Sequence, residues 1–153
     1  DYKNSFDEFY AQKYCMLKEF ATPTPLAADV VNSLKEEGYR LILASDPTTP
    51  KESQIIRTRW AGLNPDDFEL ITSFEDFHHC KPNLRYYQEI LDIQNLKADK
   101  CIMVGNDMVC DMTANKLGLD VFLITAESQE KYCYDASIYK SGSLQDFCDF
   151  MTK

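Results

Sequence analysis

Three short stretches of the sequence carry side chains that are suited to handling a phosphoryl group. Ser45 has a hydroxyl that can donate a hydrogen bond to a phosphate oxygen, and Asp46 follows it directly. Lys81 can neutralise negative charge on the group under attack. Asn106 and Asp107 offer hard oxygen ligands of the kind that Mg²⁺ accepts. Together these residue types indicate magnesium-assisted phosphoryl chemistry.

A further acid, Asp111, follows Asp107 at about one helical turn and is predicted to hold Lys81 by an ion pair. Each of these residues also has an ordinary structural interpretation. A serine at a strand end is a common turn or cap residue, and a lysine before proline is usually a solvated charge. Only their order along the chain favours a functional interpretation over a structural one.

Two other groups of residues are interpreted structurally. His78, His79 and Cys80 have no fourth ligand at a suitable spacing for zinc, so we interpret them as a loop beside Lys81. The aromatic residues Trp60, Tyr86 and Tyr87 are predicted to be packing residues.

The pattern around the candidate residues predicts alternating helices and strands. Helices are predicted over 5–20, 26–37, 50–61, 82–93 and 143–151 and in a segment that ends at Gly118, and strands over 39–45, 68–73, 100–105, 120–125 and, more weakly, 136–139. Strands joined by helices of this length pair in parallel. We therefore expect a Rossmann-like, three-layer α/β/α fold with a parallel sheet. Ligands bind such sheets at the carboxyl ends of the strands, where Ser45 and Asn106 are expected.

Composition restricts the function classes further. The chain has 153 residues, 44% of them hydrophobic, and a formal net charge of −9. One globular core is expected, and nucleic acid is an unsuitable partner for so acidic a chain. The apolar runs are far shorter than the roughly 18 residues that span a bilayer, so no membrane partner is expected. The six cysteines form no CxxC pair, which favours reduced, mostly buried thiols and a cytoplasmic location.

The order LILAS-D, HHCKPNLRYY and IMVGNDMVCDM resembles the second, third and fourth motifs of the haloacid dehalogenase (HAD) superfamily of hydrolases. The stretches RTRWAGL and FELITSFEDFHHCKPN look like a bacterial subfamily with a helical cap. The resemblance implies catalytic roles for Ser45, Lys81 and Asp111 and contact with the substrate phosphate for Ser45, Asp46 and Lys81. It also implies a Mg²⁺ cofactor bound through Asn106 or Asp107, although this family usually has Asp at the position of Asn106. The charge of Asp46 adds a repulsion that would weaken phosphate binding.

The first motif of this superfamily, a strand ending in DxD that supplies the aspartate nucleophile, does not occur in the printed sequence. The resemblance therefore implies that residues 1–20 are the remnant of a helical cap and that 21–153 form a core without its first strand. That strand is expected between 39–45 and 100–105, supplied from upstream or as a separate chain. The alternative is that 39–45 and 100–105 rearrange, since both would otherwise expose unpaired edges. We expect the 153-residue chain alone to be inactive.

The predicted function of the whole protein is Mg²⁺-dependent hydrolysis of a small phosphorylated metabolite through an aspartyl-phosphate. The alternative is a non-catalytic binding or regulatory domain with the same fold. A DxD motif in the upstream sequence would favour the enzyme over the alternative.

Overall fold

A computed structural model describes residues 5–6, 8–125 and 138–152. The chain forms two compact units, Asp1–Asp76 and Phe77–Lys153. Each unit is described by itself below. A boundary after residue 20, as the sequence predicts, stays a prediction.

The first unit begins with a helical segment that comprises a π-helical turn and a 3₁₀ turn, Phe9–Lys13 and Tyr14–Phe20. Two helices and two strands follow: α1 (Pro25–Glu36), β1 (Ile42–Leu43), α2 (Lys51–Trp60) and β2 (Leu70–Ile71). Strands β1 and β2 pair in parallel across the α2 crossover. The sequence predicts strands over 39–45 and 68–73, but the paired ladder is only two residues long. Beyond it, the backbone N–H of Thr72 still donates to the carbonyl oxygen of Leu43, and the Thr72 hydroxyl adds a hydrogen bond to the carbonyl oxygen of Ser45.

The second unit is built on three parallel strands and two helices. They are α3 (Leu84–Gln94), β3 (Ile102–Gly105), β4 (Asp120–Ile124), β5 (Lys140–Gly142) and α4 (Leu144–Met151). Strand β4 lies between the other two. Its residues Val121, Phe122 and Leu123 are all buried, as expected for a strand covered on both faces. This parallel α/β organisation confirms the predicted fold class.

The entry into α3 differs from the prediction. Pro82 was expected in the first helical turn, but α3 begins at Leu84 and the Lys81–Pro82 peptide bond is cis. Asn83 is the N-cap, because its side-chain oxygen accepts a hydrogen bond from the backbone N–H of Arg85 at 3.0 Å. The helix ends at Asn95, which adopts a left-handed conformation with φ 51°.

The segment after β3 folds into a short 3₁₀ helix, Met112–Leu117, rather than a regular α-helix. It ends before Gly118, as predicted, where φ is 89° and a side chain would be strained. The predicted strand over 136–139 lies partly outside the described residues, and the strand that follows occupies Lys140–Gly142. The strand that the HAD resemblance implies between 39–45 and 100–105 stays a prediction.

The cysteine prediction is only half right. Five cysteines fall within the described residues and none of them forms a disulfide, but none is buried: Cys15 and Cys80 are exposed, and Cys101, Cys110 and Cys148 are half-buried. No helix among the described residues is both long and apolar enough to cross a membrane.

Replacing Asn83 tests the entry into α3. Asn83→Ala removes the oxygen that caps the backbone N–H of Arg85, and we expect the free energy of unfolding to fall by about 1 kcal/mol. Asn83→Ser supplies another capping oxygen and serves as the matched control. Urea denaturation measures both variants. Equal losses in the two variants would contradict the capping role.

Candidate active site

An ion pair between Lys81 and Asp111 is the centre of the candidate site in the second unit. The Lys81 Nζ lies 2.6 Å from the Asp111 Oδ1, and the two side chains are only 11% and 7% exposed. Charges so well shielded from water interact much more strongly than a surface pair. The pair joins the segment before α3 to the segment after β3, as the sequence predicts, while the catalytic roles of both residues stay predictions.

The second oxygen of Asp111 fixes the backbone of the acidic loop, which we define as residues 106–111. Asp111 Oδ2 accepts a hydrogen bond from the backbone N–H of Asp107 at 3.0 Å. Gly105 makes room for this carboxylate, since a Cβ at that position would lie 2.1 Å from Oδ2. Atoms cannot approach so closely, so a side chain at 105 would force the carboxylate to move.

Asp107 organises the turn of the acidic loop with its own carboxylate. Its Oδ1 accepts hydrogen bonds from the backbone N–H groups of Val109 and Cys110, at 2.8 and 2.7 Å. Side-chain oxygens of aspartate commonly close turns in this way. Asp107 and Asn106 are both exposed, so their oxygens lie at the surface just beyond the carboxyl end of β3.

The fit of Mg²⁺ to this loop is partial. Carboxylate and amide oxygens from Asp107 and Asn106 are hard ligands of the right kind. However, the part of the chain that the structure describes contains no group of three or more His, Cys, Asp or Glu side chains that could hold a metal ion. The acidic loop therefore supplies some of the ligands of a magnesium site, but the described residues do not complete one.

Ser45 and Asp46 lie at the carboxyl end of β1 in the first unit, and buried polar side chains hold their backbone. The Thr72 hydroxyl donates to the carbonyl oxygen of Ser45 at 2.5 Å. The Gln54 side-chain amide donates to the carbonyl oxygen of Asp46 at 2.9 Å. Thr72 and Gln54 are almost completely buried. The structure thus places both residues at the predicted strand end.

The histidines before Lys81 contact a glutamate of α3. Glu89 accepts hydrogen bonds from the backbone N–H of His78 at 3.2 Å and pairs with the His78 ring nitrogen Nδ1 at 2.6 Å. His79 Nδ1 lies 3.5 Å from the other carboxylate oxygen. Burial alone would raise the pKa of Glu89, but the hydrogen bonds from His78 and His79 outweigh it and lower the pKa. The prediction of a loop beside Lys81 is confirmed.

Several residues that organise the site escaped the sequence analysis. Tyr87 was predicted only to pack, and its ring is indeed buried, but its hydroxyl also donates to the carbonyl oxygen of Cys110 at 2.6 Å. The contributions of Gly105, Gln54 and Thr72 were also missed. The one available signal was the polar character of Thr72 within a segment predicted as a buried strand.

The parallel α/β fold, with an ion-paired lysine and an acidic loop at the end of a strand, agrees with the HAD motifs that the sequence resembles. A family model described as haloacid dehalogenase-like hydrolase matches residues 2–118, and the chain belongs to this family. The resemblance seen in the sequence motifs is thereby confirmed.

Individual relatives agree with this assignment. The chain is 30% identical over 124 residues to a glyceraldehyde 3-phosphate phosphatase of Methanothermobacter thermautotrophicus, a match that covers 80% of this chain and 51% of the relative. The chain thus spans about half the length of this curated relative.

Solved structures show the same fold. A HAD phosphatase from Thermococcus onnurineus superposes with a TM-score of 0.72 and 16% identity, covering 92% of this chain and 64% of the other. A HAD-type protein of Bacillus subtilis, solved bound to magnesium, gives a TM-score of 0.73 and 18% identity over 92% of this chain and 60% of the other. At these identities the likeness establishes the fold alone.

A double-mutant cycle tests the buried ion pair. We expect Lys81→Met and Asp111→Asn each to lower the free energy of unfolding by about 3 kcal/mol, because each leaves a shielded charge without the opposite charge it contacts. The double variant should lose less than the sum by about 1–3 kcal/mol, measured by urea denaturation.

The matched control is the surface pair Lys51–Asp76, which is 3.3 Å apart with side chains 57% and 44% exposed. Its coupling should stay below about 0.5 kcal/mol. Additive losses at Lys81 and Asp111 would show that the two charges do not stabilise each other.

Proposed function

We propose that the full-length protein hydrolyses a small phosphate monoester. The observation that carries the proposal is the shielded Lys81–Asp111 pair at 2.6 Å, which holds an ammonium group at a defined position beside the acidic loop. A cation held in advance of the reaction can stabilise charge on a phosphoryl group without reorganising. The relative named glyceraldehyde 3-phosphate phosphatase supports the same activity, and a small phosphorylated metabolite is the proposed substrate.

In the proposed reaction, four residues of this chain have roles. In the first unit, Ser45 is proposed to donate a hydrogen bond from its hydroxyl to a phosphate oxygen, with Asp46 as a neighbouring phosphate contact. In the second unit, Lys81 is proposed to neutralise charge on the phosphoryl group while Asp111 holds it in place. The attacking aspartate is not in the printed sequence, which has no DxD motif. Its oxygen would form a bond to phosphorus as the bond to the leaving alcohol breaks, and water would then release phosphate.

The proposed cofactor is Mg²⁺, with Asp107 or Asn106 as ligands from this chain. Their exposed position beyond β3 and the hard character of their oxygens support this role. When bound, the ion supplies positive charge that offsets the phosphate and the acidic loop. The remaining ligands would come from outside the described residues.

The proposed location is the cytoplasm. It is supported by the five cysteines of the described segments, none of which forms a disulfide.

Turnover of p-nitrophenyl phosphate by the full-length protein tests the proposal. We expect hydrolysis with MgCl₂ and a loss of at least about 100-fold with EDTA, because the acidic loop then lacks the cation that offsets its charge. The 153-residue chain alone, measured in parallel, should be inactive. Absent or metal-independent turnover in the full-length protein would contradict the proposal, and absent turnover would favour the non-catalytic binding domain.

Substitutions in this chain test the residue roles. Lys81→Ala should lower kcat/KM for p-nitrophenyl phosphate by about 1,000-fold, and Ser45→Ala by about 10- to 100-fold, because a charged donor contributes more than a hydroxyl. Lys51→Ala removes an exposed lysine and is the control, with activity expected to be unchanged. An equal effect of Lys51→Ala and Lys81→Ala would refute the assigned role.

A further inference from the structure

We propose that Tyr87 is a positioning residue that holds the acidic loop in place through its hydroxyl. The hydroxyl donates to the carbonyl oxygen of Cys110 at 2.6 Å, and Tyr87 is only 2% exposed. That carbonyl belongs to the peptide unit that joins Cys110 to Asp111. The hydrogen bond thus holds Cys110, the residue directly before Asp111, whose carboxylate pairs with Lys81.

The helix and the packing of the Tyr87 ring restrict the position of its hydroxyl. Tyr87 lies in α3, whose first turn is capped by Asn83. Its ring packs edge-on against the fully buried ring of Tyr86, with centroids 5.1 Å apart. A buried tyrosine in a helix has little rotational freedom left. Its hydroxyl therefore loses little further entropy when it forms the hydrogen bond to Cys110.

The backbone of Cys110 is held on both sides. Its carbonyl accepts from Tyr87, and its N–H donates to the Asp107 carboxylate at 2.7 Å. Asp107 is in turn bonded to Asp111 through its own N–H. One hydroxyl from α3 therefore stabilises the placement of both acids of the loop without touching either carboxylate.

This role rests on the proposed function only for its catalytic consequence. Without the hydroxyl, the Cys110 carbonyl loses a short hydrogen bond and the loop gains alternative positions. The Asp111 carboxylate then holds the Lys81 ammonium less firmly, so chemistry should slow while the core, which keeps the aromatic ring, stays intact.

Tyr87→Phe in the full-length protein tests the inference, because it removes the hydroxyl alone. We expect the backbone amides of Asp107, Val109 and Cys110 to exchange with solvent about tenfold faster by NMR. The amides of β4 should exchange at unchanged rates, which separates loosening of the loop from loss of overall stability. Tyr14→Phe, a buried tyrosine of the first unit, is the matched control and should change neither set.

Steady-state kinetics of Tyr87→Phe test the catalytic consequence. With p-nitrophenyl phosphate and Mg²⁺, kcat of Tyr87→Phe should fall about tenfold at a nearly unchanged KM. Unchanged exchange in the acidic loop, or equal acceleration of the loop and β4 amides, would overturn the positioning role. If the unmodified protein does not hydrolyse phosphate monoesters, the proposed function fails, whereas the exchange rates still decide the role of Tyr87.

Discussion

Electrostatic attraction between Lys81 and Asp111 is the constraint on which the candidate site depends. The two residues are 30 positions apart in the chain, and the loss of either charge would remove the short contact that the other makes in poorly hydrated surroundings. Desolvation of such charges is costly unless every remaining hydrogen-bonding position is used. The structure meets this requirement at Asp111, whose second oxygen is bonded to the backbone of Asp107.

Buried polar side chains hold the loops at strand ends in both units. In the first unit, Gln54 and Thr72 bind the carbonyl groups of Asp46 and Ser45. In the second unit, Tyr87 binds the carbonyl group of Cys110. A two-residue ladder such as that of β1 and β2 provides few backbone hydrogen bonds, so the side-chain donors add to the backbone bonds of Thr72 and Phe74 in fixing the chain beyond it.

Sequence periodicity predicted the order of helices and strands because apolar spacing reports which faces are buried. Periodicity was less informative about the residues at which helices and strands begin and end. The helix boundary at Leu84 depends on the Asn83 cap rather than on Pro82, and the length of β1 depends on which residues find a partner in β2. Neither depends on local periodicity.

Lys81 and Asp111 were predicted to pair because Asp111 follows Asp107 at about one helical turn, which places it at the same edge of the sheet as a lysine that precedes a helix. The contribution of Tyr87 was not predictable in this way, since an aromatic ring at a buried helical position has the same pattern whether or not its hydroxyl finds an acceptor. The acceptor of such a hydrogen bond cannot be identified from residue type or spacing, because every residue has a backbone carbonyl.

The close approach of Asp111 to Gly105 also links the evolutionary histories of these two positions. While an aspartate occupies 111, any side chain at 105 would displace its carboxylate and disturb the ion pair with Lys81, so a glycine at 105 is favoured. A lineage that lost the acid at 111 would be released from this restriction. We therefore expect the two positions to vary together among descendants of this protein, with a side chain at 105 appearing only where the carboxylate has gone.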